Sequence, residues 1–296
     1  MHESFSHHNK SYLKNIRSYI ARLPSLSTTA AKVLETCNNP QSSPNELNRV
    51  IGLDPVLAGQ VLRLTNSAYY SLRHPVSSLT RAIIMLGINT VKNLVLSFAI
   101  LEQLRNKQSF RALSAEKFWA HCLSVGVIAK CIAKARGISI SDQEEFFVCG
   151  LLHDLGKIPL NQLFPDEYFQ ALDLVKRSAC PLAHAESMVF GIDHGIIGSL
   201  IAQKWRLSPA FIQALGSHHQ PDKSPPEHQQ LVFIVALADI FSQLLDIGTC
   251  EAKPPGTAFA GYLLERVGVD WPTLYDMRDT VITEIDKAKI YLEISE

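Results

Sequence analysis

The sequence predicts an all-α protein, a multi-helix bundle, on three observations. From Lys14 onward apolar residues recur at spacings of three and four, the period of a helix with one buried face. Strand signals are nearly absent, with no hairpin dipeptide flanked by alternating β-branched residues. Several helix starts read as a small polar residue followed by proline, as in Asp54-Pro55 and Ser208-Pro209. The first helical turn tolerates proline because its N–H would be unpaired there anyway.

Taken in order, residues 1–10 are polar and read as a loose arm, with His7 and His8 as tail residues rather than ligands. Leu23-Pro24-Ser-Leu26 breaks the first helix, and Ser27 caps the next through Leu34. Pro44 opens a helix over Glu46–Ile51, and Gly52-Leu-Asp54-Pro55 stops that helix and starts another. In the latter, Leu57, Val61 and Leu64 share one face. Ser77 or Ser78 caps Leu79–Leu86, which Gly87 ends. Asn89–Leu104 follows, with Val91, Leu94, Val95, Phe98 and Leu101 as its buried stripe.

Arg105-Asn-Lys-Gln-Ser109 is polar and unpatterned, and marks the expected boundary between halves. The reading is an arm and first helix over 1–22, a helical half over 23–108, and a second half over 109–296. Helices are expected there over Ala115–Arg136, Asp142–Leu155, Pro165–Arg177, Pro181–Val189, Gly195–Trp205, Pro209–His219 and Gln229–Gly248, then a short Gly256–Val267 and a long Trp271–Ile294.

Composition narrows the function classes. With 47% hydrophobic and 19% charged residues the chain reads as globular, and 28 basic against 28 acidic residues argue against a nucleic-acid binder. A helix-turn-helix reading built on Arg63 and Asn66 is not supported by that balance. The longest apolar run, Leu231–Phe241, is too short to span a bilayer and contains Asp239. Six cysteines form no Cys-x-x-Cys pair and mostly sit in apolar helical pattern, which fits a reducing compartment. No apolar signal stretch opens the chain. The expectation is a cytoplasmic protein with neither membrane nor nucleic-acid partners.

The chemistry concentrates in Gly150-Leu-Leu-His153-Asp154-Leu-Gly-Lys157-Ile-Pro159. A charged aspartate among Leu and Ile costs several kcal/mol unless it is paired or binds a metal. One His-Asp pair also suits a helix-end histidine beside a capping aspartate. But His121, His194, the His218-His219 pair and Asp239 also fall within apolar helical pattern. Each alone reads most simply as a satisfied core polar group; together, on several helices, they suit an interior metal site.

His, then His-Asp, then a final Asp resembles the HD superfamily of metal-dependent phosphohydrolases. The added His194 and His218-His219 resemble its dinuclear branch, which includes the HD-GYP enzymes. The first half is more specific. Leu23-Pro-Ser-Leu26, then Asn45 to Ala68 through Asp54-Pro55, Arg63 and Asn66-Ser67, then Ala82-Ile-Ile-Met-Leu86-Gly87, resemble the HDOD family of signalling domains over about Leu23 to His219. Two departures stand out. HDOD domains have usually lost the metal-binding residues, which this chain retains. The Gly-Tyr-Pro segment of HD-GYP enzymes is replaced by Gln-Pro-Asp-Lys-Ser-Pro-Pro after His219.

The resemblance implies that His121, His153, Asp154 and Asp239 hold one metal, and that Asp154 bridges to a second held by His194, His218 and His219. Such a dinuclear site lowers the pKa of water and clamps phosphoryl oxygens. Nitrogen and oxygen ligands without Cys suit Fe or Mn, with Zn also accepted; the resemblance favours iron. Asp154 and Lys157 are the catalytic candidates, Lys157 either meeting a substrate phosphate or compensating a helix C-terminal dipole beside Gly156. Glu186 reads as a surface carboxylate, with orientation of a ligand histidine as the alternative. Asp193 reads as a helix N-terminal charge, and His74 and His228 as structural or exposed. The functional expectation is a signal-transduction protein with a signalling-protein partner, acting as a phosphohydrolase or phosphodiesterase on a nucleotide or other phosphorylated small molecule. The alternative is a non-catalytic metal-containing interaction module.

Overall fold

A computed structural model describes residues 2–39, 41–104, 109–248 and 256–294, with residues 2–10 described by backbone alone. Among them there is no strand. The first half comprises α1 (His2–Arg22), α2 (Thr28–Asn38), α3 (Pro44–Gly52), α4 (Pro55–Thr65), α5 (Leu79–Leu86) and α6 (Ile88–Leu104). Then come α7 (Ala115–Ala135), α8 (Ile140–Leu152), α9 (Lys157–Leu163), α10 (Pro165–Ser178), α11 (Leu182–Phe190), α12 (His194–Lys204), α13 (Pro209–Ser217) and α14 (Pro226–Leu244). The chain closes with α15 (Thr257–Val267), α16 (Trp271–Asp276), α17 (Arg278–Ala288) and α18 (Ile290–Ile294).

Two of the caps form as read, while Ser78 before α5 and Ser208 before α13 occupy the N-cap position without a side-chain cap bond. Ser27 accepts from the Ala30 N–H at 3.1 Å, and Asp54 from the Leu57 N–H at 3.0 Å with Pro55 behind it. The α6 stripe Val91, Leu94, Val95, Phe98 and Leu101 is buried as read.

Three expectations are corrected. The polar stretch before Lys14 is helical from His2, because no proline or glycine interrupts the chain before Pro24. The expected long C-terminal helix is three, broken at Met277 and Lys289 with no proline or glycine to mark the breaks. And α9 was not anticipated: Pro159 sits in its first turn, where no N–H is required. The boundary at 105–108 and Cys250 lie outside the described residues; no disulfide joins the other five cysteines to one another.

The C-terminal segment returns to the first half. Tyr291 of α18 is fully buried, its ring 4.6 Å from Phe147 of α8 and 5.2 Å from Tyr69 after α4. Its hydroxyl donates to Glu144, which also takes Lys130 Nζ at 2.7 Å. Among the described residues one single helix, α7, is long and apolar enough to cross a membrane; 72% of its apolar window is buried inside the protein.

The two central helices, α7 and α8, meet backbone to backbone. A Cβ on Gly150 would lie 2.8 Å from both Cα and N of Gly126, and one on Gly126 would lie 2.7 Å from the Phe147 carbonyl oxygen. Only glycine permits that crossing, and it brings the end of α8 alongside His121 of α7. Gly150→Ala is therefore expected to destabilise by about 1–3 kcal/mol through overpacking. Gly52→Ala, with nothing within 4 Å of the new Cβ, is the neutral control. Thermal unfolding of the two variants beside wild type checks this; equal melting temperatures would contradict the close crossing.

Candidate metal centre

His153 occupies the C-cap of α8 and Asp154 the turn before α9. Gly156 in the same turn packs against α12 so closely that a Cβ would sit 1.8 Å from the His194 carbonyl oxygen. That contact seats the first residue of α12 beside the His-Asp turn. His121 comes from the middle of α7, His218 and His219 from just past the end of α13, and Asp239 from α14.

All seven sequence-predicted residues converge. Asp154, 1% exposed, is at the middle. Its Oδ2 lies 3.4 Å from His153 Nε2 and 3.7 Å from His121 Nε2. Its Oδ1 lies 3.2 Å from His194 Nε2 and 3.8 Å from His218 Nε2. On the first side Asp239 Oδ1 is 3.2 Å from His121 Nε2 and 3.9 Å from His153 Nε2. On the second, His219 Nε2 is 2.8 Å from His194 Nε2. The two carboxylate oxygens of one residue thus face two separate groups of donors. Among the described residues, His121, His153 and Asp239 form a group that could hold a metal ion, as do His194, His218 and His219 and, drawing on both sides, His153, Asp154 and His218.

The imidazoles are anchored from behind. His153 Nδ1 contacts the Gly150 carbonyl at 2.7 Å, and His218 Nδ1 the Leu215 and Ala214 carbonyls at 3.0 and 3.1 Å. His121 Nδ1 meets Ser242 Oγ at 3.3 Å, and Ser242 hydrogen-bonds Ser124. His194 Nδ1 donates to Glu186 Oε2 at 2.5 Å. An outer nitrogen that donates its proton to a carbonyl or carboxylate leaves the inner Nε2 lone pair aimed at the centre. His153 Nε2, His218 Nε2 and Asp154 Oδ1 are buried with no hydrogen-bond partner. Orphaned acceptors in a dry interior are costly unless a cation takes them. The donor set therefore fits divalent metal ions.

Burial holds His153 and, more strongly, His218 below the ordinary imidazole range, in the neutral form a metal needs. His194 is the exception. Burial, the largest single effect, lowers it, but the Glu186 and Asp154 carboxylates together raise it to about 9. Burial works against the Asp154 charge, yet His153, Lys157 and His194 hold its carboxyl well below the usual range. Asp239 is lowered in the same sense, chiefly by its bond to His121.

Lys157 is 7% exposed, with Nζ 2.5 Å from Asp154 Oδ2. It opens α9 rather than closing a helix, so its own helix dipole disfavours the charge and the compensation reading falls. Glu186 is no surface carboxylate. It is fully buried, accepts from the His194 backbone N–H at 2.9 Å and from the Tyr168 hydroxyl at 3.1 Å. The signal was in the sequence: Leu182, Glu186 and Phe190 are spaced by four on one buried face of α11. Sequence reasoning missed Ser242 and Gln243, whose Nε2 donates to Asp239 Oδ1 at 2.8 Å. Asp193 caps α12 through the Ile196 N–H, as expected. His74 and His184 are exposed and His228 half-buried, all three outside the cluster.

Fold and cluster together define an all-helical protein with an HD-type His/Asp site. The HDOD domain model matches residues 23–221, and the chain belongs to the HDOD family. A solved HDOD domain protein with unknown function from Geobacter sulfurreducens is 26% identical, with a TM-score of 0.74 over 95% of this chain and 97% of that one. A solved Shewanella amazonensis SB2B protein called "Putative phosphohydrolase" is 23% identical, with a TM-score of 0.70 over 95% and 98%. An uncharacterized protein of Treponema pallidum (strain Nichols) is 24% identical over 85% of this chain, which spans 48% of that relative's length.

The Glu186–His194 bond carries a prediction. Glu186→Gln keeps the shape but removes the charge that orients the ring, and is expected to weaken divalent-cation affinity about 10–100-fold. Competition titration of Mn2+ against a chelating dye measures it. Unchanged affinity would mean that Glu186 serves packing alone.

Proposed function

We propose that this HDOD protein holds two divalent cations and hydrolyses a phosphate ester or phosphodiester of a nucleotide or another phosphorylated small molecule, as part of a signalling exchange with a protein partner. The observation that carries this reading is Asp154, whose two oxygens face two distinct donor groups. His121, His153 and Asp239 would hold one cation, His194, His218 and His219 the other, and Asp154 both. Nitrogen and oxygen donors without sulfur suit Fe or Mn, with Zn also accepted. A pair of bound cations supplies Lewis acidity to phosphoryl oxygens and brings the pKa of water toward neutrality. The name of the Shewanella relative supports the reaction class.

The chain's own residues have separable tasks. Ser242, Glu186 and the carbonyls of Gly150 and Leu215 fix ring orientation, so the donors need no rearrangement as charge develops. Glu186 keeps the outer proton on His194 Nδ1. Lys157 brings an ammonium to the centre, where it would pair with a substrate phosphate. Gln243 donates to Asp239 Oδ1 and holds that carboxylate in place.

One observation favours a second reading, a metal-containing module without turnover. Six of the seven donors are at most 6% exposed, and Lys157 already engages Asp154. A closed site of that kind suits a sensor or a structural staple. Turnover of bis(4-nitrophenyl) phosphate by protein loaded with Mn2+ or Fe2+ separates the two. The hydrolase reading expects turnover that Lys157→Gln lowers by about 100-fold at unchanged metal content. Fully loaded protein inert toward this ester and a panel of nucleotides would leave the second reading.

A further inference from the structure

Apart from the His/Asp cluster, a cleft of about 790 Å3 opens between α7, the turn that follows α14, and α17–α18. Trp119 and Leu123 of α7, Leu245 and Ile247 after α14, and Ile282 and Ile285 of α17 form its apolar walls. Its volume lies in the range of small-molecule sites, roughly 300–1,000 Å3. Ile282 is 41% exposed, a large apolar side chain left facing solvent. Trp119 is nearly buried, so only a small part of its ring forms the cleft wall.

The rim charges set the class of ligand. Lys289 is paired with Asp286 at 2.7 Å, and Glu293 with Arg63 at 3.8 Å. Arg278 and Glu116 also line the cleft and have no ion-pair partner among the described residues. An unengaged guanidinium beside an apolar hollow recognises a planar acidic head. Glu116 on the same rim repels a multiply charged one. On α7, Trp119 and Leu123 are one turn apart, while His121 between them points some 200° away from each. The cleft therefore lies on the face of α7 turned away from the metal centre and is distinct from it.

We propose that this cleft binds an amphipathic monoanion: an apolar ring system or medium-length chain between Leu123, Ile247 and Ile282, with a carboxylate or sulfonate on Arg278. Polyphosphates and nucleotides are excluded by Glu116 and by the apolar walls.

The test uses the full chain and 1-anilinonaphthalene-8-sulfonate, an aromatic monoanion that fluoresces in apolar sites. Saturable binding of about one probe per chain is expected, displaced by decanoate and not by ATP. Arg278→Glu and Ile282→Glu should each weaken it at least about tenfold, the worth of one charge-assisted hydrogen bond or one apolar wall. Arg278 opens α17, where an acidic residue suits the helix dipole, and Ile282 is exposed, so both variants should keep the wild-type melting temperature. Absence of saturable binding, equal binding by both variants, or displacement by ATP as effective as by decanoate would overturn the proposal.

Discussion

The buried charge of Asp154 is the constraint that the rest of the site answers. Placing an ionised carboxylate in a dry helical interior costs several kcal/mol without compensation. Here it is met by the ammonium of Lys157 at 2.5 Å and by histidines on both sides. The second of its oxygens still lacks a hydrogen bond, as do two imidazole nitrogens that face it. A cluster with this many unspent acceptors is poorly stable as an apolar core and well suited to cations. Its arrangement follows from that need rather than from packing alone.

Delivering those donors falls to a few close contacts. Gly126 and Gly150 let α7 and α8 touch, which sets His121 beside His153. Gly156 lets the His-Asp turn press against the start of α12, which sets His194 beside Asp154. Behind the rings, Glu186, Ser242 and main-chain carbonyls hold each outer nitrogen. Orientation is thus built into rigid elements before any ligand arrives, the condition under which fixed dipoles are most effective.

Much of this was legible in the residues, and the exceptions have physical reasons. Helix periods and the Ser27 and Asp54 caps are local, and they emerge as read. The seven donors stood out because polar side chains in apolar helical pattern are costly, and the structure brings all seven together. Glu186 was misjudged because a single glutamate beside the exposed His184 resembles a solvated face. Only its spacing from Leu182 and Phe190 placed it inside. Lys157 was ambiguous because the helix it opens, α9, has a proline in its first turn and no apolar period long enough to announce it. The return of α18 onto the first half depends on contacts more than a hundred residues apart, such as Tyr291 with Tyr69, which no local pattern encodes.

The most direct measurement is the metal content of the purified full chain, by elemental analysis, beside an Asp154→Asn variant of matched fold. If Asp154 joins two cation positions, wild type carries about two divalent ions per chain and the variant at most about one. Folded wild-type protein that carries none and takes up none on addition of Fe2+, Mn2+ or Zn2+ would contradict the account. So would a variant that keeps both.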